Sequence, residues 1–193
     1  MNKAGVLVLL LGAAWLYLNR IAGQNNSALD VLSVNANLLL AGVNGGLGAV
    51  NMNLSDAGLQ AIASREGFSG NSYPDAGGRS IGYGHYILIG ESFNEPISPQ
   101  QGMDLLRADA ALAEKAVQAY VTVPINQNQF DALVSFAYNV GVNAFKSSTL
   151  LSLINQGNLA GAAAQFPRWD KSQGQVLPQL IARRASEQQQ FLA

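Results

Sequence analysis

The 193-residue chain has no cysteine, one histidine and few charges, 11 Lys and Arg against 12 Asp and Glu, and each shortage closes a class of function. Without cysteine there is neither a disulfide framework nor a thiolate nucleophile, so the fold must hold by packing alone. The lone His85 argues against a zinc amidase or peptidase, whose site typically takes two or three histidines. A Ser-His-Asp hydrolase needs only one, but no G-x-S-x-G elbow accompanies it. The basic residues are scattered rather than clustered, so no face is suited to neutralising phosphates and nucleic acid is not expected as a partner. Carboxylates remain as the candidate acid and base, with no metal or cofactor implied.

Hydrophobic residues, by contrast, make up 49% of the chain, enough for one well-packed domain and something extra. The extra is N-terminal. "AGVLVLLLGAAWLYL", residues 4–18, is an uncharged run between Lys3 and Arg20. As a helix it spans roughly 22 Å against a hydrocarbon core of ~30 Å, so Lys3, Arg20, Trp15 and Tyr17 would have to help at the interfaces. Residues 1–23 are expected to form an apolar helix acting as a transmembrane or signal-anchor segment. A cleaved signal peptide and a buried core helix are the competing readings, the former with a poor site because Arg20 falls where a small residue is wanted. Residues 24–53 read as an apolar Gly/Ala/Asn-rich linker, lying on a membrane or a partner or serving as a flexible spacer.

From Leu54 to Ala193 the pattern is that of a globular domain. Ser55 is placed to cap a helix carrying Leu59, Ile62 and Ala63 at helical spacing, with Gly67 as its stop. Residues 68–90, with turn glycines and apolar Ile81, Tyr83, Ile87 and Ile89, predict a short antiparallel sheet. After Pro99 the spacing predicts successive helices, the last over about 178–192. The expected class is α+β, mainly α: a small β-hairpin region and a helical lobe.

Within this domain, "EGFSGNSYPDAGGRSIGYGH" places Glu66 and Asp75 nine positions apart. Glycosidic hydrolysis takes one carboxylic acid to protonate the leaving oxygen and a second carboxylate to activate water or stabilise charge. Glu66 falls in the last turn of its helix, where the macrodipole disfavours an ionised side chain, and Phe68 could shield it further. Asp75 falls in a Pro-Gly turn and is expected to stay ionised. A Glu before a helix-stopping Gly and an Asp in such a turn also occur without any chemistry.

The ordered set Glu66, Gly67, Asp75, Ser80, Gly82, Gly84, His85 resembles the active-site segment of the phage-type lysozymes, the muramidases of T-even and lambdoid bacteriophages. The likeness continues through "QFDALVSFAYNVG" (129–141), "FKSSTLL" (145–151) and "AAQFPRWDKSQGQVLPQLIARRASE" (163–187), covering nearly all of residues 54–193 and none of the first 53. It implies a lysozyme-like fold with Glu66 as general acid and Asp75 as the carboxylate that positions water. Ser80 stands where the family carries the threonine that holds this water, one residue nearer Asp75 than in the T-even enzyme. His85 is implied to be structural and paired with Asp109, Tyr138, Asn139 and Ser148 to line the sugar cleft, and Trp169 to belong to the core. A basic partner for Glu66 is expected from the last helix. Leu180 stands near the aligned position, leaving Arg183 or Arg184 to serve.

The resemblance thus implies an inverting muramidase acting on the β-1,4 bond between N-acetylmuramic acid and N-acetylglucosamine of peptidoglycan. Its expected setting is host lysis or penetration of the wall by an incoming virion. The expected catalytic domain is monomeric, anchored through residues 4–18 in the inner membrane with its site in the periplasm, or associated with virion partners. Lytic transglycosylation on a similar fold is one alternative, and a non-catalytic membrane-anchored virion component is another.

Overall fold

The computed structural model describes residues 52–75, 77–172 and 174–193. The apolar run 4–18 and the linker after it lie outside these residues. Among the described residues no helix is long and apolar enough to cross a membrane.

Helix α1 (Asp56–Glu66) starts at Ser55, whose hydroxyl accepts the Gly58 N–H at 2.9 Å, and stops at Gly67 with φ 74°. Three antiparallel strands follow in the order β1 (Ser69–Asp75), β2 (Gly78–Gly82), β3 (His85–Tyr86). The register sets Tyr73 opposite Ser80, Pro74 opposite Arg79 and Asp75 opposite Gly78. Pro74 is tolerated because β1 is an edge strand, where a missing N–H breaks no ladder.

The sheet is shorter than the apolar spacing to residue 90 suggests. Beyond Tyr86 the Glu91 carboxylate accepts the Leu88 N–H at 2.7 Å while the Glu91 N–H reaches the Leu88 carbonyl at 3.0 Å. The Ile87 N–H still reaches the Arg79 carbonyl of β2 at 2.9 Å, after which this local turn replaces strand pairing and leaves Ile89 fully exposed.

The helical lobe comprises α2 (Pro99–Tyr120), α3 (Gln127–Val140), α4 (Val142–Lys146), α5 (Thr149–Asn155), α6 (Leu159–Ala163) and α7 (Pro178–Leu192). Capping boxes start α2 (Ser98 with Gln101) and α3 (Asn126 with Gln129), so local chemistry specifies both boundaries. Every residue of α3 from Phe130 to Val140 is buried, the mark of a central helix enclosed by its neighbours. Phe136 on this helix meets Phe166 and Trp169 edge-on at 5.4 and 5.3 Å. A 3-10 turn (Phe166–Trp169) and a second hairpin, β4 (Lys171–Ser172) with β5 (Gln175–Val176), lead into α7. Two-residue strands carry too little alternation to be legible in the sequence, where this stretch falls between predicted helices. The packed unit also begins before Leu54, since the Met52 carbonyl accepts from Gln118 Nε2 at 2.8 Å.

The start of α1 is fastened to α3 by Asp131, which accepts from the Ser55 N–H at 3.1 Å, the Ser55 hydroxyl and Gln127 Nε2 at 2.8 Å. The helices approach so closely there that a Cβ on Gly58 would lie 2.5 Å from Asp131 Cγ. Asp131→Ala strands buried donors, and a loss of about 1–3 kcal/mol is expected, read as a fall of several degrees in Tm by calorimetry.

Candidate active site

Glu66 ends α1, and its Oε1 lies 2.8 Å from Arg183 Nη1 on α7, with both side chains below a tenth exposed. Arg183 is therefore the basic partner, while Arg184 donates to Asn139 Oδ1. The expected shield Phe68 is 40% exposed and packs on Tyr83 at 5.1 Å instead. Arg183 is the charged neighbour of the Glu66 carboxyl.

Arg183 is shared. Its Nε donates at 3.2 Å to Oε1 of Glu187, a fully buried carboxylate that also accepts from Ser135 Oγ at 2.7 Å. Arg184 Nη1 sits 2.9 Å from Glu187 Oε2 in an ion pair not aligned as a hydrogen bond, with its guanidinium 5.0 Å from the centre of the Phe136 ring. Arg65 joins from α1, bonding Ser135 at 2.9 Å and Ser186 at 2.8 Å. Burial opposes the Arg183 charge, but Glu66 and Glu187 outweigh it and raise its pKa. Arg184 is lowered by burial to about 10, with Glu187 working against the shift, and so stays charged at neutral pH.

Asp75, at the end of β1, is 2% exposed and accepts from Ser80 Oγ at 2.8 Å through Oδ2. Its Oδ1 is buried with no hydrogen-bond partner among the described residues. Burial raises the Asp75 pKa and the Ser80 hydroxyl pulls the other way. The turn reading made Asp75 a plainly ionised group, whereas here its charge is held against burial, with one hydroxyl to support it.

His85 is buried on β3, its Nδ1 2.9 Å from Asp109 Oδ2 on α2 and its Nε2 3.1 Å from Glu91 Oε2. Of the residues expected to line the cleft, Ser148 uses its hydroxyl to cap α5 through the Leu151 N–H at 3.0 Å. Tyr138 and Asn139 are buried, the latter bound to Arg184. The geometry thus gathers Glu66 with Arg183, Asp75 with Ser80, and His85 with Asp109. Glu187, Arg65, Ser135 and Glu91 bear no catalytic signature in the sequence, although Glu187 stands three and four positions after the paired arginines, the spacing of one helix face. Among the described residues no group of three or more His, Asp or Glu is placed to hold a metal ion.

The phage lysozyme family profile matches residues 63–187. An endolysin of Bacillus phage PZA is 47% identical over 143 residues, covering 72% of this chain and 55% of that protein, so the chain spans only about half of that relative. A SAR-endolysin of Enterobacteria phage P21 is 34% identical over 128 residues, 64% of this chain and 75% of that protein. Among solved structures, the muramidase domain of SpmX from Asticaccaulis excentricus is 37% identical with a TM-score of 0.67, covering 74% of this chain and 99% of that one. The chain belongs to the phage lysozyme family.

At His85 burial opposes the imidazolium, but the hydrogen bonds and charges of Asp109 and Glu91 prevail and hold its pKa above the ordinary 6.5. The folded-state value being the higher, the pairing stabilises fully below about pH 6.5 and fades as pH rises through that folded-state value. In thermal melts across about pH 5 to 9, the advantage of the wild type over Asp109→Asn should shrink toward alkaline pH. A constant advantage would mean that His85 does not titrate in this range.

Proposed function

We propose that the chain is a peptidoglycan muramidase, hydrolysing the β-1,4 bond between N-acetylmuramic acid and N-acetylglucosamine. One observation carries the reading: two carboxyl groups, Glu66 at the end of α1 and Asp75 at the end of β1, lie in unlike surroundings. Glu66 is held by a guanidinium, and Asp75 is buried with one oxygen on Ser80 and the other unbonded. Such a difference gives the two carboxyl groups separate roles, and the likeness to the phage lysozymes supports which is acid and which is base. Glu66, oriented by Arg183, protonates the leaving glycosidic oxygen. Asp75 directs a water through Oδ1, with Ser80 fixing the carboxylate plane. Attack from the face opposite the leaving group inverts the anomeric centre.

Mass spectrometry of muropeptides tests the assignment. The wild type should release hydrated reducing ends, and Glu66→Gln should release them at least about 10²-fold more slowly while keeping its fold. Products lighter by one water would identify a transglycosylase instead. Asp75→Asn should likewise lose turnover and melt at or above the wild-type temperature, because a carboxylate held against burial is removed. The initial product should be the α-anomer by NMR.

Residues 4–18 hold the enzyme at the inner membrane, with the domain on the periplasmic side. This rests on the apolar run and on the likeness to a SAR-endolysin. The full chain should sediment with membranes through an alkaline carbonate wash, and a chain starting at Met52 should stay soluble and active on isolated peptidoglycan. A full chain that remains soluble with Met1 intact would place the run in a buried helix.

A further inference from the structure

Tyr73 stands two positions before Asp75 on β1, so both side chains leave the same face of the strand. The register puts Tyr73 directly opposite Ser80, the residue that binds Asp75, and Tyr86 of β3 lies opposite Ser80 on its other side. A row of three hydroxyl-bearing side chains therefore crosses the sheet beside the Asp75 carboxylate.

Tyr73 differs from a packing residue. It is only partly buried, and its ring belongs neither to the hydrophobic core nor to the apolar side chains packed against it. Its hydroxyl makes no hydrogen bond with the described residues, whereas Tyr86 does have a partner. Yet it lies within electrostatic reach of both Asp75 and Glu66. Burial first, then the charges of Asp75 and Glu66, push its pKa up to about 12. At any ordinary working pH it is thus a neutral phenol, an uncommitted donor on the strand face that carries Asp75.

On the muramidase reading, the saccharide spans the gap between those carboxyl groups. We propose that Tyr73 is a further substrate-contacting residue, whose hydroxyl donates a hydrogen bond to a saccharide oxygen in the glycan bound between Glu66 and Asp75. The role belongs to the hydroxyl rather than the ring, because a donor left without a protein partner at the site is what a polyhydroxylated ligand can use. A binding site built around such a donor discriminates when it is removed.

The test compares Tyr73→Phe, which keeps the ring, in two backgrounds. In the otherwise wild-type chain, kcat/KM on soluble peptidoglycan glycan strands should fall about 10- to 100-fold, as expected for one lost hydrogen bond to substrate. With Glu66→Gln also present, Kd for the same strands should rise by about the same factor relative to Glu66→Gln alone. Tm should be unchanged, since no internal hydrogen bond is lost.

Turnover and binding both within twofold of their parents would overturn the assignment. A fall in turnover with unchanged Kd would overturn it too, since the hydroxyl would then serve Asp75 rather than the saccharide. A marked fall in Tm would make Tyr73 structural and likewise overturn it. If the unsubstituted chain leaves the strands intact, the muramidase reading itself fails and this role fails with it.

Discussion

The structure turns on one guanidinium shared by two carboxylates. Arg183 reaches Glu66 at the end of α1 and Glu187 one turn further along its own helix, so α7 cannot move without moving the candidate acid. Such a buried cluster is not obviously a source of stability, because desolvating each ion costs several kcal/mol and an apolar replacement often does as well. Its effect is orientation. Removing one member leaves the others uncompensated at about 3–5 kcal/mol, so the charges are interdependent. Around Glu187, three arginines, Arg65, Arg183 and Arg184, face two carboxylates, and Ser135, Asn139 and the Phe136 ring take up much of the remainder.

The second carboxyl group is positioned by a different material. Asp75 ends a short edge strand whose register aligns it with Gly78 and brings Ser80 across to its Oδ2. Gly78 leaves room for the Tyr86 ring, since a Cβ there would lie 2.1 Å from the Tyr86 hydroxyl and push that side chain aside. The sheet is too small to stand alone, three strands with the last only two residues long. His85 adds to the packing of β2 on α2 by binding Asp109 on α2 and Glu91 in the following turn. One acid is thus set by the helical lobe and the other by the sheet.

Much of this was legible in the amino acids. Ser55, Gly67, Pro99 and the capping residues mark helix ends through local hydrogen bonding and backbone preference, which need no distant partner. The spacing from Glu66 to His85 contains the hairpin that carries Asp75 and Ser80, because its glycines act on neighbouring residues only. The same logic misled beyond Tyr86, where alternating isoleucines suggested a strand and a side chain three residues away, Glu91, closed a turn instead.

What the sequence by itself determined is the order of helices and the hairpin, both consequences of short-range spacing, while the roles of Glu66 and Asp75 are what the resemblance implies. What only the tertiary structure decided is which partners those groups have. Arg183 and Arg184 are adjacent and chemically identical, yet they point to different places on α7. One meets Glu66, 117 positions away in the chain, and the other meets Asn139, 45 positions away. Their roles follow from the roughly 100° turn between successive residues of a helix and from where α1 and α3 lie against it. That placement is a property of packing, which no local pattern of residues records.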